Sequence, residues 1–155
     1  MPYWLATINS AFPAVELDVV LSRKAERFVT ATTIQGLIGR RPYLEDGDPF
    51  QEGDGRPSHL VLADADLILL CPATPRILIE VALGSITCPV TRVAAFAEPS
   101  RVAIAPWIHP SLDRANYVEY LERARARGMH VLETLSLERG DSPWPTVLRQ
   151  LQALV

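Results

Sequence analysis

Leu67-Ile-Leu-Leu-Cys71 is a short, fully apolar stretch that ends at Pro72, and it decides the fold. An apolar run of this length is typical of a strand that is buried on both faces of a parallel sheet. Val102-Ala-Ile-Ala105 repeats the pattern and again ends at a proline, Pro106. Because helical periodicity separates the two runs, the sequence predicts an α/β fold with a mainly parallel sheet.

Further elements are predicted on both sides of these strands. The predicted helices cover residues 25–29, 32–38, 77–83, 113–127 and 146–154, and the further predicted strands cover 16–21 and 129–132. The predicted buried side of the helix 113–127 carries Leu112, Ala115, Val118 and Leu121. Residues 45–57 are rich in Gly, Asp, Pro and Glu, which is typical of a loop.

The composition limits the functional classes. The 155 residues predict one domain, residues 1–155, because domains commonly hold about 100–200 residues. A net charge of -3 gives no basic footprint for nucleic acid. Cys71 and Cys88 lie in apolar surroundings, which argues against a disulfide scaffold, and the three histidines lack metal-site spacing, so no metal is predicted. The longest apolar stretch, 60–79, carries charged residues, so we expect no membrane span and a cytoplasmic protein.

Ligands in parallel sheets of this kind bind at the carboxyl ends of the strands, where loops lead into helices. Three loops lie at this edge in the predicted topology: the residues from Ser22 onward, 72–76 and 106–110. A proline directly after a strand ends the ladder and leaves the following amides free to face a ligand. From this pattern alone, a binding role and a plain connection are equally open.

The residues of these loops resemble those of a known family. The stretch His59-Leu-Val-Leu-Ala-Asp-Ala-Asp-Leu-Ile-Leu-Leu-Cys-Pro-Ala-Thr74 is similar to the central stretch of the homo-oligomeric flavin-containing cysteine decarboxylases. That family shows a histidine, an Ala-Asp pair, an apolar strand and a Pro-Ala-Ser/Thr-Ala-Asn-Thr motif. Residues 19–30 resemble its flavin-contacting segment, and residues 105–112 lie where it has Pro-x-Met-Asn-x-x-Met-Trp. The matching segments follow one another in the same order as in the family, over residues 3–132.

The resemblance implies a three-layer Rossmann-like (flavodoxin-like) parallel sheet flanked by helices. It also implies FMN bound between subunits of a homo-oligomer, either a trimer or a dodecamer built of trimers. In the family, FMN oxidises a cysteine thiol to a thioaldehyde, the α-carboxylate leaves as carbon dioxide and an ene-thiol remains. Members act on phosphopantothenoylcysteine or form aminovinyl-cysteine in lanthipeptides and related peptides.

Each family position is carried over to the residue that matches it. His59 matches the family histidine and is the predicted base for the thiol proton, because a neutral imidazole titrates in the right range. The residues predicted to bind the flavin are Ser22, Phe28, Pro72, Ala73 and Thr74. Without the resemblance, His59 is a surface histidine, Ser22 a helix cap and Phe28 a core aromatic.

Two loops depart from the family motifs. Pro75-Arg76-Ile77 replaces Ala-Asn-Thr, so a side chain that only donates hydrogen bonds replaces an amide. Arg76 is predicted to pair with a substrate carboxylate or phosphate, or else to be a solvated residue of a first helical turn. Trp107, Ile108 and His109 stand at the second loop and are the other predicted substrate-binding residues.

The amino terminus departs most. The family begins with a strand and a Gly-Ser-Ile loop for the FMN phosphate, whereas residues 1–5 here resemble the helix that follows that loop. The usual first strand is therefore expected to be lacking. Either the chain starts downstream of a natural start, or it is a remodelled member that binds FMN weakly or not at all.

The substrate prediction rests on the carboxyl-terminal part. No cysteine follows Gly128, whereas the phosphopantothenoylcysteine enzyme carries one in a flexible clamp. The leading prediction is an FMN-dependent cysteine decarboxylase (a lyase) that acts on the C-terminal cysteine of a precursor peptide. The alternatives are a degenerate, non-catalytic partner subunit, a phosphopantothenoylcysteine decarboxylase and an unrelated α/β nucleotide-binding domain. In the predicted oligomer, Trp107, Ile108 and an apolar loop around Phe96 lie between chains.

Overall fold

The computed structural model describes residues 2–44, 55–134 and 144–154. Its sheet has three parallel strands in the order β1-β2-β3, which are β1 (Ile68–Ala73), β2 (Val102–Pro106) and β3 (His130–Val131). The two apolar runs of the sequence form the neighbouring strands β1 and β2, with Ile68 opposite Val102. The predicted parallel sheet is therefore confirmed.

Helices flank the sheet. In chain order they are α1 (Pro2–Ala11), α2 (Ala31–Ile38), α3 (Ser58–Ala63), α4 (Pro75–Leu83), α5 (Pro89–Phe96), α6 (Ala115–Ala126) and α7 (Trp144–Gln152). Gly39 follows α2 with φ of 76°, and Gly84 follows α4 with φ of 73°. Glycine adopts this left-handed conformation without the steric cost of a Cβ, which explains where both helices end.

Alternate residues of β2 face opposite layers of helices. Val102 and Ile104 are buried in one cluster with residues of α3, α4, α5 and α6, whereas Ala103 and Ala105 lie in another cluster with Val147 of α7. Successive side chains of a strand point to opposite faces of the sheet, so helices cover both faces. This is the three-layer flavodoxin-like arrangement that the resemblance implied, and the fold class is confirmed.

The buried side of α6 differs in part from the prediction. Leu121 and Ala124 are buried, and Tyr117 and Tyr120 pack against the same cluster, while Val118 is 51% exposed. These four inward positions follow the i, i+3, i+4, i+7 spacing of a helix face. The predicted side was wrong except at Leu121, because the stripe that holds the two tyrosine rings offers more apolar surface to the core.

The sequence prediction had no helix at α3 or α5. Residues 58–63 form α3, so His59 lies in the first turn of a helix. Six residues give less than two helical turns, which is too few for a visible period. α5 did leave a signal, because Val90, Val93 and Ala94 keep helical spacing after Pro89, a residue favoured in a first turn.

Residues 2–44 pack beside the sheet around a second cluster. Its buried members are Leu5, Ile8, Leu21, Val29 and Ile34, and Cys71 of β1 packs against it. The predicted strand 16–21 is reduced to one parallel bridge between Val20 and Tyr43. The predicted helix 25–29 is a single 3-10 turn, Ala25–Arg27.

Some predicted segments include residues that the structure does not describe. Residues 45–54 of the predicted loop and residues 135–143 after Gly128 lie outside the described residues. Within the described ranges, no helix is long and apolar enough to cross a bilayer. Cys71 and Cys88 are both free thiols.

Candidate active site

The carboxyl ends of β1 and β2 bring two of the predicted loops together. Ala73 lies opposite Pro106, and the backbone N–H of Trp107 donates to the Ala73 carbonyl at 2.8 Å. The Thr134 hydroxyl donates to the Pro106 carbonyl and ties the chain after β3 to the same place. The loops 72–76 and 106–110 therefore form one continuous edge, as parallel strand topology requires.

Thr74 stands at the start of α4. Its backbone is extended, with φ of -63° and ψ of 161°, and its side chain makes no capping hydrogen bond to the helix. Thr74 is an exposed residue of this edge. Because Pro75 has no N–H, the first amides of α4 that can face a ligand belong to Arg76 and Ile77.

Arg76 is held by its own chain. Its Nε donates to Glu80 Oε1 at 2.7 Å, and a terminal nitrogen donates to Thr87 Oγ1 at 3.3 Å. The Thr87 hydroxyl donates to the other oxygen of Glu80 at 2.6 Å. The Glu80 side chain is only 15% exposed, whereas that of Arg76 is 50% exposed. The Glu80 carboxylate thus fixes a half-exposed guanidinium at the loop 72–76. The predictions for Arg76 did not include this pair, although its i, i+4 spacing is typical of a helical ion pair.

The three predicted residues of the second loop face different surroundings. Trp107 is 41% exposed, whereas Ile108 is 5% exposed and lies in the core of its own chain. The expectation that Ile108 lies between chains differs from this placement, because a single chain already covers its side chain. His109 is exposed, and its Nδ1 accepts from the Ser111 backbone N–H at 3.1 Å. In the neutral ring the proton is then on Nε2, so this nitrogen can still donate a hydrogen bond.

The two residues of the amino-terminal segment that are predicted to contact the flavin flank the 3-10 turn Ala25–Arg27. Ser22 Oγ accepts from the Ala25 backbone N–H at 3.3 Å, as expected of a capping side chain, although the residue directly before the turn is Lys24. Phe28 is 86% exposed, so the alternative of a core aromatic is wrong. Val29 beside it fills the core position instead.

His59 belongs to α3 and not to either of these loops. Its ring packs on that of Phe96, with the ring centroids 5.2 Å apart and the planes at 49°. Phe96 ends α5 rather than lying in a loop, and it is 54% exposed. There is no cluster of three or more potential metal ligands among residues 2–44, 55–134 and 144–154.

The chemistry of these groups fits the ring system of a flavin. Thr74 and Ser22 carry hydroxyls, the backbone of Ala73 turns at the edge of the sheet, and Phe28 presents an exposed aromatic face. Aromatic faces and a few polar groups are the usual lining of a cofactor site. For the phosphate, the described residues offer the amides of α4 but no glycine-rich loop at this edge.

The sheet, its layers and this edge define a Rossmann-like, flavodoxin-like protein with a candidate ligand site at the carboxyl ends of its strands. No protein-family model matches the chain. Over 118 residues, 75% of the chain, it is 31% identical to the coenzyme A biosynthesis bifunctional protein CoaBC of Vibrio vulnificus strain YJ016. It spans only 29% of that protein.

The solved structures share the fold across almost the whole chain. TvaF, an FMN-dependent cysteine decarboxylase from thioviridamide biosynthesis, aligns over 99% of this chain and 88% of its own, with a TM-score of 0.74 and 24% identity. MrsD from Bacillus sp. HIL-Y85/54728 aligns over 99% and 87%, with a TM-score of 0.79 and 24% identity. The chain is thus similar in fold to FMN-dependent cysteine decarboxylases over almost its whole length, and the resemblance drawn from its sequence is confirmed.

Proposed function

We propose that this protein catalyses the FMN-dependent oxidative decarboxylation of the C-terminal cysteine of a peptide, which yields an aminoenethiol. The observation that carries the proposal is the alignment of 99% of the chain with an FMN-dependent cysteine decarboxylase. The joined loops 72–76 and 106–110 support it, because they place the residues that match the family motifs on one edge. Bound FMN would supply the two-electron oxidation of the cysteine thiol.

The residues of the edge have separate roles in the proposal. Thr74, with the backbone of Pro72 and Ala73, would hydrogen-bond the flavin ring, and Phe28 would pack on its face. Ser22 holds the 3-10 turn that carries Phe28. The residues therefore bind and orient the flavin, and they exclude water from one of its sides.

The substrate carboxylate needs a cation or a strong donor, because it is charged until it leaves as carbon dioxide. Arg76 presents a half-exposed guanidinium that Glu80 and Thr87 hold in one orientation. A fixed guanidinium loses less side-chain entropy when it pairs with a carboxylate. His109 would add a hydrogen bond from Nε2, since its Nδ1 is already used by Ser111.

His59 would accept the proton of the substrate thiol. Its ring packs on that of Phe96 and is partly buried. Because the resemblance is to homo-oligomeric enzymes, we propose that a complete site combines His59 of one copy with the loops 72–76 and 106–110 of another. A homo-oligomer, as a trimer or a dodecamer built of trimers, is part of this proposal.

A second substrate is supported by a specific observation. The relative with 31% identity is a coenzyme A biosynthesis protein, which favours phosphopantothenoylcysteine. Against it stands the sequence after Gly128, which carries no cysteine for a clamp. We therefore keep the peptide as the leading substrate and use phosphopantothenoylcysteine as the competing one.

Mass spectrometry with added FMN separates these functions. A peptide that ends in cysteine should lose the mass of formic acid, which is carbon dioxide plus two hydrogens. The same peptide ending in serine is the control and should not react, because an alcohol is harder to oxidise by hydride loss. Turnover of phosphopantothenoylcysteine alone would assign the second substrate. No turnover of either, together with a colourless protein that does not bind FMN, would favour the non-catalytic partner subunit.

A further inference from the structure

A closed ring of three hydrogen bonds joins the loop 72–76 to the turn before α5. The Nε of Arg76 donates to Glu80 Oε1 at 2.7 Å, and its Nη2 donates to Thr87 Oγ1 at 3.3 Å. The Thr87 hydroxyl in turn donates to Glu80 Oε2 at 2.6 Å. Each of the three side chains is therefore held by the other two.

The Thr87 hydroxyl lies where a direct hydrogen bond from Arg76 to Glu80 would otherwise form. In a bidentate pair, two neighbouring donors of the guanidinium bind the two oxygens of one carboxylate. Here Nε donates to one Glu80 oxygen, whereas Nη2 donates to the hydroxyl that binds the other oxygen. The hydroxyl is thus inserted between one arm of the guanidinium and the second oxygen of the carboxylate.

The position of Thr87 does not depend on its own side chain. Its backbone N–H donates to Thr91 Oγ1 at 3.0 Å, and the Cys88 N–H donates to the same oxygen at 3.1 Å. The Thr91 hydroxyl donates to the Cys88 carbonyl at 3.0 Å, and Thr91 is only 1% exposed. A buried hydroxyl in the first turn of α5 therefore fixes this turn, and a change of the Thr87 side chain should leave its fold intact.

The burial of Glu80 gives the inserted hydroxyl its importance. The Glu80 side chain is only 15% exposed, and a shielded carboxylate oxygen that loses its donor is costly until another donor replaces it. The Nη2 of Arg76 is beside this oxygen, because it contacts the same hydroxyl. Loss of the hydroxyl would therefore draw the guanidinium into a bidentate pair with Glu80, which neutralises more of its charge.

We propose that Thr87 is a positioning residue, whose hydroxyl keeps the Arg76 guanidinium from closing on Glu80 and so orients it for the C-terminal carboxylate of the peptide. This inference rests on the proposed function, because it takes Arg76 as the group that binds the substrate carboxylate. Thr87 acts through Arg76 and does not touch the substrate. Its loss should therefore weaken the binding of the carboxylate and leave the flavin chemistry unchanged.

Peptide binding without turnover tests the inference on the intact chain with FMN present. The probe is acetyl-Ala-Tyr-Ala-Ser, whose C-terminal carboxylate is its only charge, and the same peptide with a C-terminal amide is the control. In an NMR titration, the wild type should bind the carboxylate form about tenfold more tightly than the amide, the smallest usual effect of a hydrogen bond to a charged group. Thr87→Ala should lose most of this preference. Thr87→Ser, which differs from it by one oxygen atom, should keep the preference.

Two further measurements separate positioning from a general structural effect. In the Arg76→Ala background the preference is already lost, so adding Thr87→Ala should have no further effect on either Kd. With acetyl-Ala-Tyr-Ala-Cys as substrate, Thr87→Ala should raise KM and leave kcat unchanged, the pattern of a lost binding contact.

Each outcome bears on one of the two claims. Equal preference in Thr87→Ala and Thr87→Ser overturns the positioning role, and so does a further effect of Thr87→Ala in the Arg76→Ala background. A wild type that binds the carboxylate and the amide equally, or binds neither, also overturns it. If the preference follows the hydroxyl but no cysteine-terminated peptide is decarboxylated, the positioning role stands and the proposed activity fails.

Discussion

The sheet region, residues 55–134, and the amino-terminal segment, residues 2–44, are built by different means. β2 is buried along its whole length between two layers of helices and pairs with strands on both sides. The amino-terminal segment has a core of its own, yet one parallel bridge is its only ladder contact among the described residues. The proposed site uses both regions, so its flavin contact through Phe28 rests on the less well-bonded one.

The largest effect is expected from His59, which belongs to the sheet region. His59→Asn should keep the fold and FMN binding but lower decarboxylation about 10²–10⁴-fold, the usual loss for a missing general base. The rate is measured by mass spectrometry of a cysteine-terminated peptide. His130→Asn is the matched control, because His130 lies on β3 and hydrogen-bonds the Ser100 carbonyl at 2.9 Å, and it should keep its activity. Equal turnover by His59→Asn and wild type would remove His59 from the mechanism.

A pair of isoleucines compares the stability of the two regions. Ile104 of β2 and Ile34 of α2 are both 0% exposed, so truncation to alanine removes the same atoms from two cores. Ile104→Ala should lower the global free energy of unfolding by about 2–5 kcal/mol. Ile34→Ala should act mainly on residues 2–44.

Denaturant unfolding and native-state hydrogen exchange measure the two effects. In Ile34→Ala, faster exchange should be confined to the amino-terminal segment while β2 keeps its protection. Uniformly faster exchange in both variants would show that the two regions unfold as one cooperative unit.

The same contrast explains what the sequence could predict. The apolar runs 67–71 and 102–105 are long enough to mark buried strands, and both were predicted correctly. The run 16–21 was also predicted as a strand, but the length of a strand depends on how far a partner segment runs beside it, and no local pattern reveals that. Thus Val20 forms only an isolated bridge.

The candidate site divides in the same way. The positions of the loops 72–76 and 106–110 follow from strand topology, so their meeting was predictable. The burial of Ile108 and the exposure of Phe28 were not, because both depend on how distant segments pack. The ion pair between Glu80 and Arg76 could be predicted from their i, i+4 spacing on a helix. The hydrogen bond from Thr87 to Glu80 could not, because it depends on the turn between α4 and α5.

A smaller effect on stability is expected from Cys71, which lies where the two regions meet. Burial raises the pKa of its thiol from 9.0 to about 12. The unfolded chain therefore loses this proton at lower pH than the folded chain does. The contribution of the protonated thiol is fully present below pH 9 and declines as the pH rises toward 12.

The difference between wild type and Cys71→Ala isolates this contribution, since other groups titrate in both proteins. Chemical unfolding at pH 7 and at about pH 10 should show a larger loss of stability in the wild type. Cys71→Ala itself removes little side-chain volume, so its fold should be kept. Parallel pH dependence in the two proteins would contradict the burial of the thiol against the amino-terminal cluster.

The smallest effect on stability, but an informative one, is expected from Phe28. Its ring is 86% exposed, so Phe28→Ala should change the free energy of unfolding by no more than about 0.5 kcal/mol. If the ring packs on the flavin, the same substitution should weaken FMN binding by about 0.5–1.5 kcal/mol, or up to about tenfold in Kd.

Val15→Ala is the matched control, because Val15 is a 42% exposed apolar residue of the same segment with no proposed flavin contact. Absorbance titration with FMN measures both. If Phe28→Ala and wild type bind FMN equally well, the amino-terminal segment does not contact the flavin through this ring, and the loop 72–76 would have to hold the cofactor from the sheet region alone.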